Sequence, residues 1–387
     1  MKFRVITSMF PFPQFCSAVR RKGALALCVA LCTLGLSASA RAQSFITFDA
    51  PGAGTGAGQG TLIGGLNPQG ANTGAYIDAS NVFHGFLRAK DGSFTTFDAP
   101  GAGTGAGQGT SGFGLNPAGA ITGQYIDASN VLHGFLRAKG GSITTFDAPG
   151  AGTGAGQGTS AGNINPSGAI AGFYFDIANV IHGFLRAEDG TITTFDAPGA
   201  GTAAFQGTIT ATGALNEAGA IAGNYIDTNF TNHGYVRAKD GSFTTFDAPG
   251  AGTGAGQGTF ISSMNSEGTT SGESLDAIDV FHGFVRAADG SITTFDDPGA
   301  GTGAFQGTIP QDVNPAGAIA GLYFDASNVF HGFLRAKDGT LTTLDAPGAG
   351  TGADQGTAAL GNNPAGEIVG AYSDASGVTH GFFLRKP

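Results

Sequence analysis

Residues 158–206 read GTSAGNINPSGAIAGFYFDIANVIHGFLRAEDGTITTFDAPGAGTAAFQ. Small residues run to Asn165, where Asn165-Pro166-Ser167-Gly168 has the composition of a β-turn, with Pro at its second position and Gly at its last. Gly168–Asp176 is a stretch of β-branched and aromatic residues suited to a pleated strand. After the loop Ile177-Ala178-Asn179, Val180–Ala187 is a third strand, Glu188-Asp189-Gly190 a tight turn, and Thr191–Asp196 a fourth strand. The Gly-rich connection Ala197–Gln206 then leads into the next copy. The strands are termed A, B, C and D below. No helical period appears anywhere after the first 42 residues.

The unit recurs seven times. His84, His133, His182, His233, His282, His331 and His380 each precede Gly, at spacings of 49, 49, 51, 49, 49 and 49. The longer step comes from two extra residues between Gly207 and Asn216. Four antiparallel strands per repeat, joined by short turns and one longer crossing, is the plan of a β-propeller blade. The expected fold is all-β, a seven-bladed propeller with blades near 60–98, 109–147, 158–196, 207–247, 258–296, 307–345 and 356–386. The last unit lacks a D strand, and a lone D-like segment, 44–49 (SFITFD), precedes the first unit. Pairing of the two would close the ring and remove the exposed edges that an open solenoid leaves.

Residues 1–42 belong to a different class. A basic cluster (Arg20, Arg21, Lys22), a short apolar run and Ala40-Arg41-Ala42 read as a signal peptide cleaved before Gln43. The expected location is therefore secreted, extracellular or periplasmic, with 43–387 as the mature domain and no membrane span left after cleavage. Cys16, Cys28 and Cys32, the only cysteines, all fall in the leader, so the mature chain has neither disulfide nor thiol chemistry. The leader also takes six of the 18 basic residues and none of the 28 acidic ones. The remainder has 12 basic against 28 acidic residues, a charge of −16 with His neutral. Such a chain repels nucleic acid and anionic membranes, favours cations, and is expected to stay monomeric. Glycine makes up 69 of the 387 residues, against an ordinary ~7 %. These glycines recur at fixed turn positions, which argues for repeated structure and against disorder.

The motifs Asn-x-x-Gly, Gly-x-Tyr-x-Asp, His-Gly-Phe-Leu and Asp-Gly-x-Phe-Thr-Thr-Phe-Asp together resemble the extracellular HAF-type repeat of bacterial secreted proteins. The resemblance covers all seven units. It departs in having Gly after each His and in the Asp-Ala-Pro-Gly-Ala-Gly-Thr run. It implies a secreted repeat protein of bacterial source and supplies no catalytic residues.

Two sets of residues are candidate sites. The first is an Asp–His pair across each B–C hairpin: Asp78/His84, Asp127/His133, Asp176/His182, Asp227/His233, Asp276/His282, Asp325/His331 and Asp374/His380. Seven copies of one pair suit a framework of buried, mutually satisfied polar groups better than a single asymmetric catalytic constellation. The second is the acid that ends each D strand: Asp49, Asp98, Asp147, Asp196, Asp247, Asp296 and Asp345. These head the Gly-rich connection, where calcium is the one cofactor the carbonyls and carboxylates could take. Each run has a single acid, few for a tight calcium site. The strand order puts the B–C loops and the D–A connections on one acidic face, and strand A along a central channel. The irregular acids Glu273, Asp297, Asp312 and Asp354 are scattered over several units. The expected function is non-catalytic binding or scaffolding, with an extracellular glycan or protein as ligand. The rivals are a propeller-based polysaccharide lyase or hydrolase and a purely structural surface or matrix protein.

Overall fold

The computed structural model describes residues 44–385. The leader, with its cysteines and the expected cleavage site, lies outside the described residues. Within them every regular element is a strand, and all 28 strands belong to one hydrogen-bonded sheet.

The unit at 158–206 shows the local plan. Strand A (Gly158–Ile164) pairs antiparallel with strand B (Ile170–Phe175), with a bulge between Ala161 and Asn163. Strand B pairs with strand C (Ile181–Arg186), setting Tyr174 opposite His182. Strand C pairs with strand D (Ile192–Phe195), setting Phe184 opposite Thr194. The turns fall at the Asn-Pro-Ser-Gly and Glu-Asp-Gly positions that the sequence marks, and the positive φ needed there is taken by Gly168 and Gly190.

Successive units join in one repeated way. The first residue of each strand A bridges in parallel to the start of the preceding strand C, as Gly207 does to Ile181. A Cβ on Gly207 would lie 2.0 Å from the Ile181 carbonyl oxygen, so only glycine fits this junction. Packing between units is carried by a strand C aromatic set against the preceding strand D. Phe135 is fully buried, and its ring lies 5.9 Å from that of Phe97. The arginine ending strand C covers the same ring, with the Arg137 guanidinium 5.0 Å from the Phe97 centroid.

The array closes on itself. Ser44–Phe48 pairs antiparallel with the last C strand, from Ser44 opposite Arg385 to Phe48 opposite Gly381. Gly60 bridges Thr379 as Gly207 bridges Ile181. The turn asparagines repeat the closure in side-chain form. The Nδ2 of Asn67 donates to the Asn116 carbonyl, Asn116 to Asn165, Asn165 to Asn216, Asn265 to Asn314, Asn314 to Asn363, and Asn363 back to Asn67, at 3.0–3.5 Å. The result is a closed, propeller-like ring of repeated strands with strand A innermost.

Candidate functional site

The loop face is built from the B–C loops and D–A connections. In the first unit the Gly54 amide donates to the Ile77 carbonyl, and the Gln59 Nε2 donates to the Ala79 carbonyl and Asn81 Oδ1. The Gln59 Oε1 accepts from the Gly56 amide. A Cβ on Gly54 would lie 2.3 Å from that oxygen, which is why the Gly-rich run tolerates so little there. At the start of strand A the Thr61 hydroxyl accepts from the Ala50 amide at 2.9 Å, and the same bond recurs in every unit. The sequence reading missed these Gln and Thr braces, although the recurrent Gln-Gly-Thr tripeptide carries the signal.

Each histidine stands between two carboxylates. The His84 Nδ1 is 3.0 Å from Asp98, and its Nε2 is 3.6 Å from Asp78. Across the units the first distance is 2.8–3.0 Å and the second 3.4–3.7 Å. The shorter contact is thus to the acid that ends strand D, which the sequence reading set aside as a separate candidate. The cause is register: Gly85 lies opposite Phe97, so Asp98 sits beside His84 on the neighbouring strand. Nor is the pair buried. The histidines keep 21–32 % side-chain exposure and the strand D acids 49–55 %.

The acid that ends strand B has another task. The Asp78 Oδ1 accepts from the Ser80 and Val82 amides at 2.8 and 2.9 Å and so holds the B–C loop. Burial pushes its pKa up, but these backbone bonds and His84 outweigh that and lower it. A tyrosine stacks on the histidine, with ring centroids of Tyr76 and His84 4.9 Å apart. In the fifth unit Ser274 replaces that tyrosine, and His282 is the most exposed of the seven. Burial opposes its charge, yet Asp296 and Asp276 hold its pKa above the ordinary value. The cluster of the last unit is completed from the chain's other end, where His380 meets Asp49 at 2.9 Å.

Seventeen of the 28 acidic residues lie on this face. Every described Lys and Arg lies at the end of strand C or in the C–D turn, on the opposite face. Among the described residues no three His, Asp or Glu groups are placed to hold a metal ion. The strand D carboxylates that would anchor calcium are engaged by imidazole.

The channel departs from the repeat. An open cavity of about 230 Å³ is lined by strand A of every unit, including Ile63, Phe113, Asn163, Ser262 and Asp312. Two of the acids that the sequence scatters over different units meet its wall through adjacent serines. The Ser263 hydroxyl donates to Asp312 at 2.8 Å, and the Ser262 hydroxyl donates to Glu273 at 3.0 Å. Asp312 also accepts from the Asn362 amide at 2.9 Å. Burial raises the pKa of both acids, that of Glu273 to about 8, so Glu273 is protonated at neutral pH. Asp297, where other units have Ala, is buried on the loop-face side and accepts from the Gly299 amide. Asp354 lies in the last D–A connection.

No family model and no curated protein matches the chain. Among solved structures, the BP39L lectin from Burkholderia pseudomallei superposes with a TM-score of 0.56 at 10 % identity, covering 83 % of this chain and 94 % of that one. The Aleuria aurantia lectin gives 0.43 at 12 % identity, covering 73 % and 94 %. A puromycin hydrolase gives 0.47 at 14 % identity, covering 84 % and 53 %. The first likeness is one of fold alone; the other two are too distant to argue from.

Proposed function

We propose that the chain is an exported, non-catalytic binding protein, a seven-bladed propeller whose ligand surface is the acidic loop face. The observation that carries this reading is the segregation of charge. Seven Asp–His–Asp clusters and three further aspartates share a face without a described Lys or Arg. Such a surface attracts cationic partners, speeds their approach, and presents many equivalent contacts. Nothing in it has the single asymmetric arrangement of nucleophile, base and oxyanion donors that catalysis requires. The strand D aspartates are its half-exposed carboxylates, the strand B aspartates its loop braces.

Export rests on the leader. Protein secreted from a bacterial host is expected to begin at Gln43, in keeping with the HAF-type resemblance of the repeats. The binding reading is tested by titrating mature protein with four probes: an oligolysine peptide, an oligoglutamate peptide, a glucosamine oligomer and a neutral oligosaccharide. The two cationic probes should bind at low salt and weaken steeply as salt rises. Equal binding of all four, or none, would remove the proposal. Salt-independent binding of the neutral sugar alone would favour a sugar site of different chemistry.

A further inference from the structure

The large hydrophobic side chains exposed among the described residues are Ile177, Phe205, Ile278 and Phe305, exposed by 84, 47, 68 and 49 %. All four lie on the loop face, in two like pairs. Ile177 is in the B–C loop Asp176–Asn179, and the Phe205 amide donates to the Asn179 carbonyl at the end of that loop at 2.7 Å. Ile278 is in the B–C loop Asp276–Asp279, and the Phe305 amide donates to the Asp279 carbonyl. Each pair thus joins one B–C loop to the connection bonded to it.

The backbone at the two phenylalanines is unfavourable for them. Their φ angles are +65° and +62°. At the equivalent position Gly58, Gly107, Gly156 and Gly256 have φ of 78–84°. A bulky residue at positive φ is rare, and one left half-exposed to solvent gains little packing in exchange. The isoleucines stand where most units have Ala, Ser or Asn. Two units therefore depart from the repeat in a similar way, each with an exposed isoleucine in the B–C loop, one residue after Asp176 and two after Asp276, and a half-exposed phenylalanine at positive φ.

We infer that the Ile177/Phe205 and Ile278/Phe305 pairs are the apolar anchors of a docking surface for a cationic amphipathic peptide segment. The inference rests on the acidic loop face being the binding surface, and adds the class of partner and its points of attachment. Charge selects this occupant. The pairs share their face with the loop-face aspartates and with no described Lys or Arg, so the partner brings positive charge and apolar side chains together. A second copy meeting face to face would oppose two arrays of carboxylates. A sugar polymer is less well matched, because half of each anchor is a branched aliphatic group without a flat stacking surface, and the chain has no Trp.

The test uses the mature full-length protein and two peptides, an amphipathic one of Leu and Lys and an otherwise equal one of Ser and Lys. The variants are Phe205→Gly with Phe305→Gly, which restores the residue of four of the other five units (the last has Asp354), and the same pair combined with Ile177→Ala and Ile278→Ser. The Leu/Lys peptide should bind wild type at least about tenfold more tightly than the Ser/Lys peptide, and the variants should lose that advantage. The Ser/Lys peptide should bind all three proteins equally. If neither peptide binds at low salt, the acidic-face reading itself fails. If both bind but leucine gives no advantage, or the advantage survives in the fourfold variant, only the anchors are refuted. Salt-independent binding of a neutral oligosaccharide that the variants abolish, or self-association that they abolish, would equally overturn the inference in favour of those occupants.

Discussion

At the residue scale the histidine clusters separate two kinds of aspartate. Asp176 accepts two backbone amides at 2.8 Å each and also faces His182, whereas Asp196 is half-exposed and meets the imidazole alone. Asp176→Ala should therefore cost about 1–3 kcal/mol by leaving loop amides unsatisfied, and Asp196→Ala less than ~1 kcal/mol. Urea denaturation of the two variants measures the difference, and equal costs would contradict the division of roles. Glu273 gives a sharper pH signature. Burial pushes its pKa in the fold up to about 8, above the ordinary 4.5 of a free Glu, so the native state binds more protons than the unfolded chain between them. The protonated acid is favoured in the fold at low pH, and that advantage is lost as pH rises from near 4.5 through 8. Relative to Glu273→Gln, the wild type should lose roughly 3–5 kcal/mol across that window. A pH-independent difference between the two would place Glu273 in a wetter site. The phenylalanines act in the opposite sense: Phe205→Gly should raise stability by up to ~1 kcal/mol, by relieving a positive φ.

At the scale of the element, most of the fold was legible. Apart from the longer strand A of the fourth unit, turn residues bound each strand at the same offset in every copy, so Asn165-Pro166-Ser167-Gly168 or Glu188-Asp189-Gly190 could hardly be anything but hairpin turns. The lone segment before the first unit also read as the missing strand of the last. What could not be read was lateral position. Asp78 and Asp98 are both near His84 in the chain plan, and only the C–D register sets the second at 3.0 Å. Glu273 meets Ser262 across the A–B pairing of its own unit, whereas Asp312 meets Ser263 only because strands from different units adjoin. The arginine over each preceding strand D ring depends likewise on contact between units. Deleting Ser44–Phe48 should leave Thr379–Arg385 without its antiparallel partner. A lowered melting temperature or association through the freed edge is expected, and added SFITF peptide should reverse it. An unchanged, monomeric protein would mean that the ring does not depend on this strand.

At the scale of the whole molecule, a near-perfect repeat carries two departures from symmetry. One is global: the order of strands sends almost every loop-face charge to one sign, and the basic residues to the far end of strand C. The other is local: units three to six hold the exposed Ile/Phe pairs, the buried Glu273 and the channel-lining Asp312. The repeat supplies a rigid, multivalent surface, and the irregular sector gives that surface a direction. The most direct test compares two charge variants of the mature protein for binding of oligolysine at low salt. One carries Asp→Asn at Asp98, Asp147, Asp196 and Asp247 on the loop face; the other carries Asp→Asn at Asp91, Asp189, Asp240 and Asp289 in the C–D turns. Both lose four negative charges. Affinity should fall at least about tenfold in the first and change little in the second. Equal losses in both would show that oligolysine responds only to net charge, and would contradict a binding surface on the loop face.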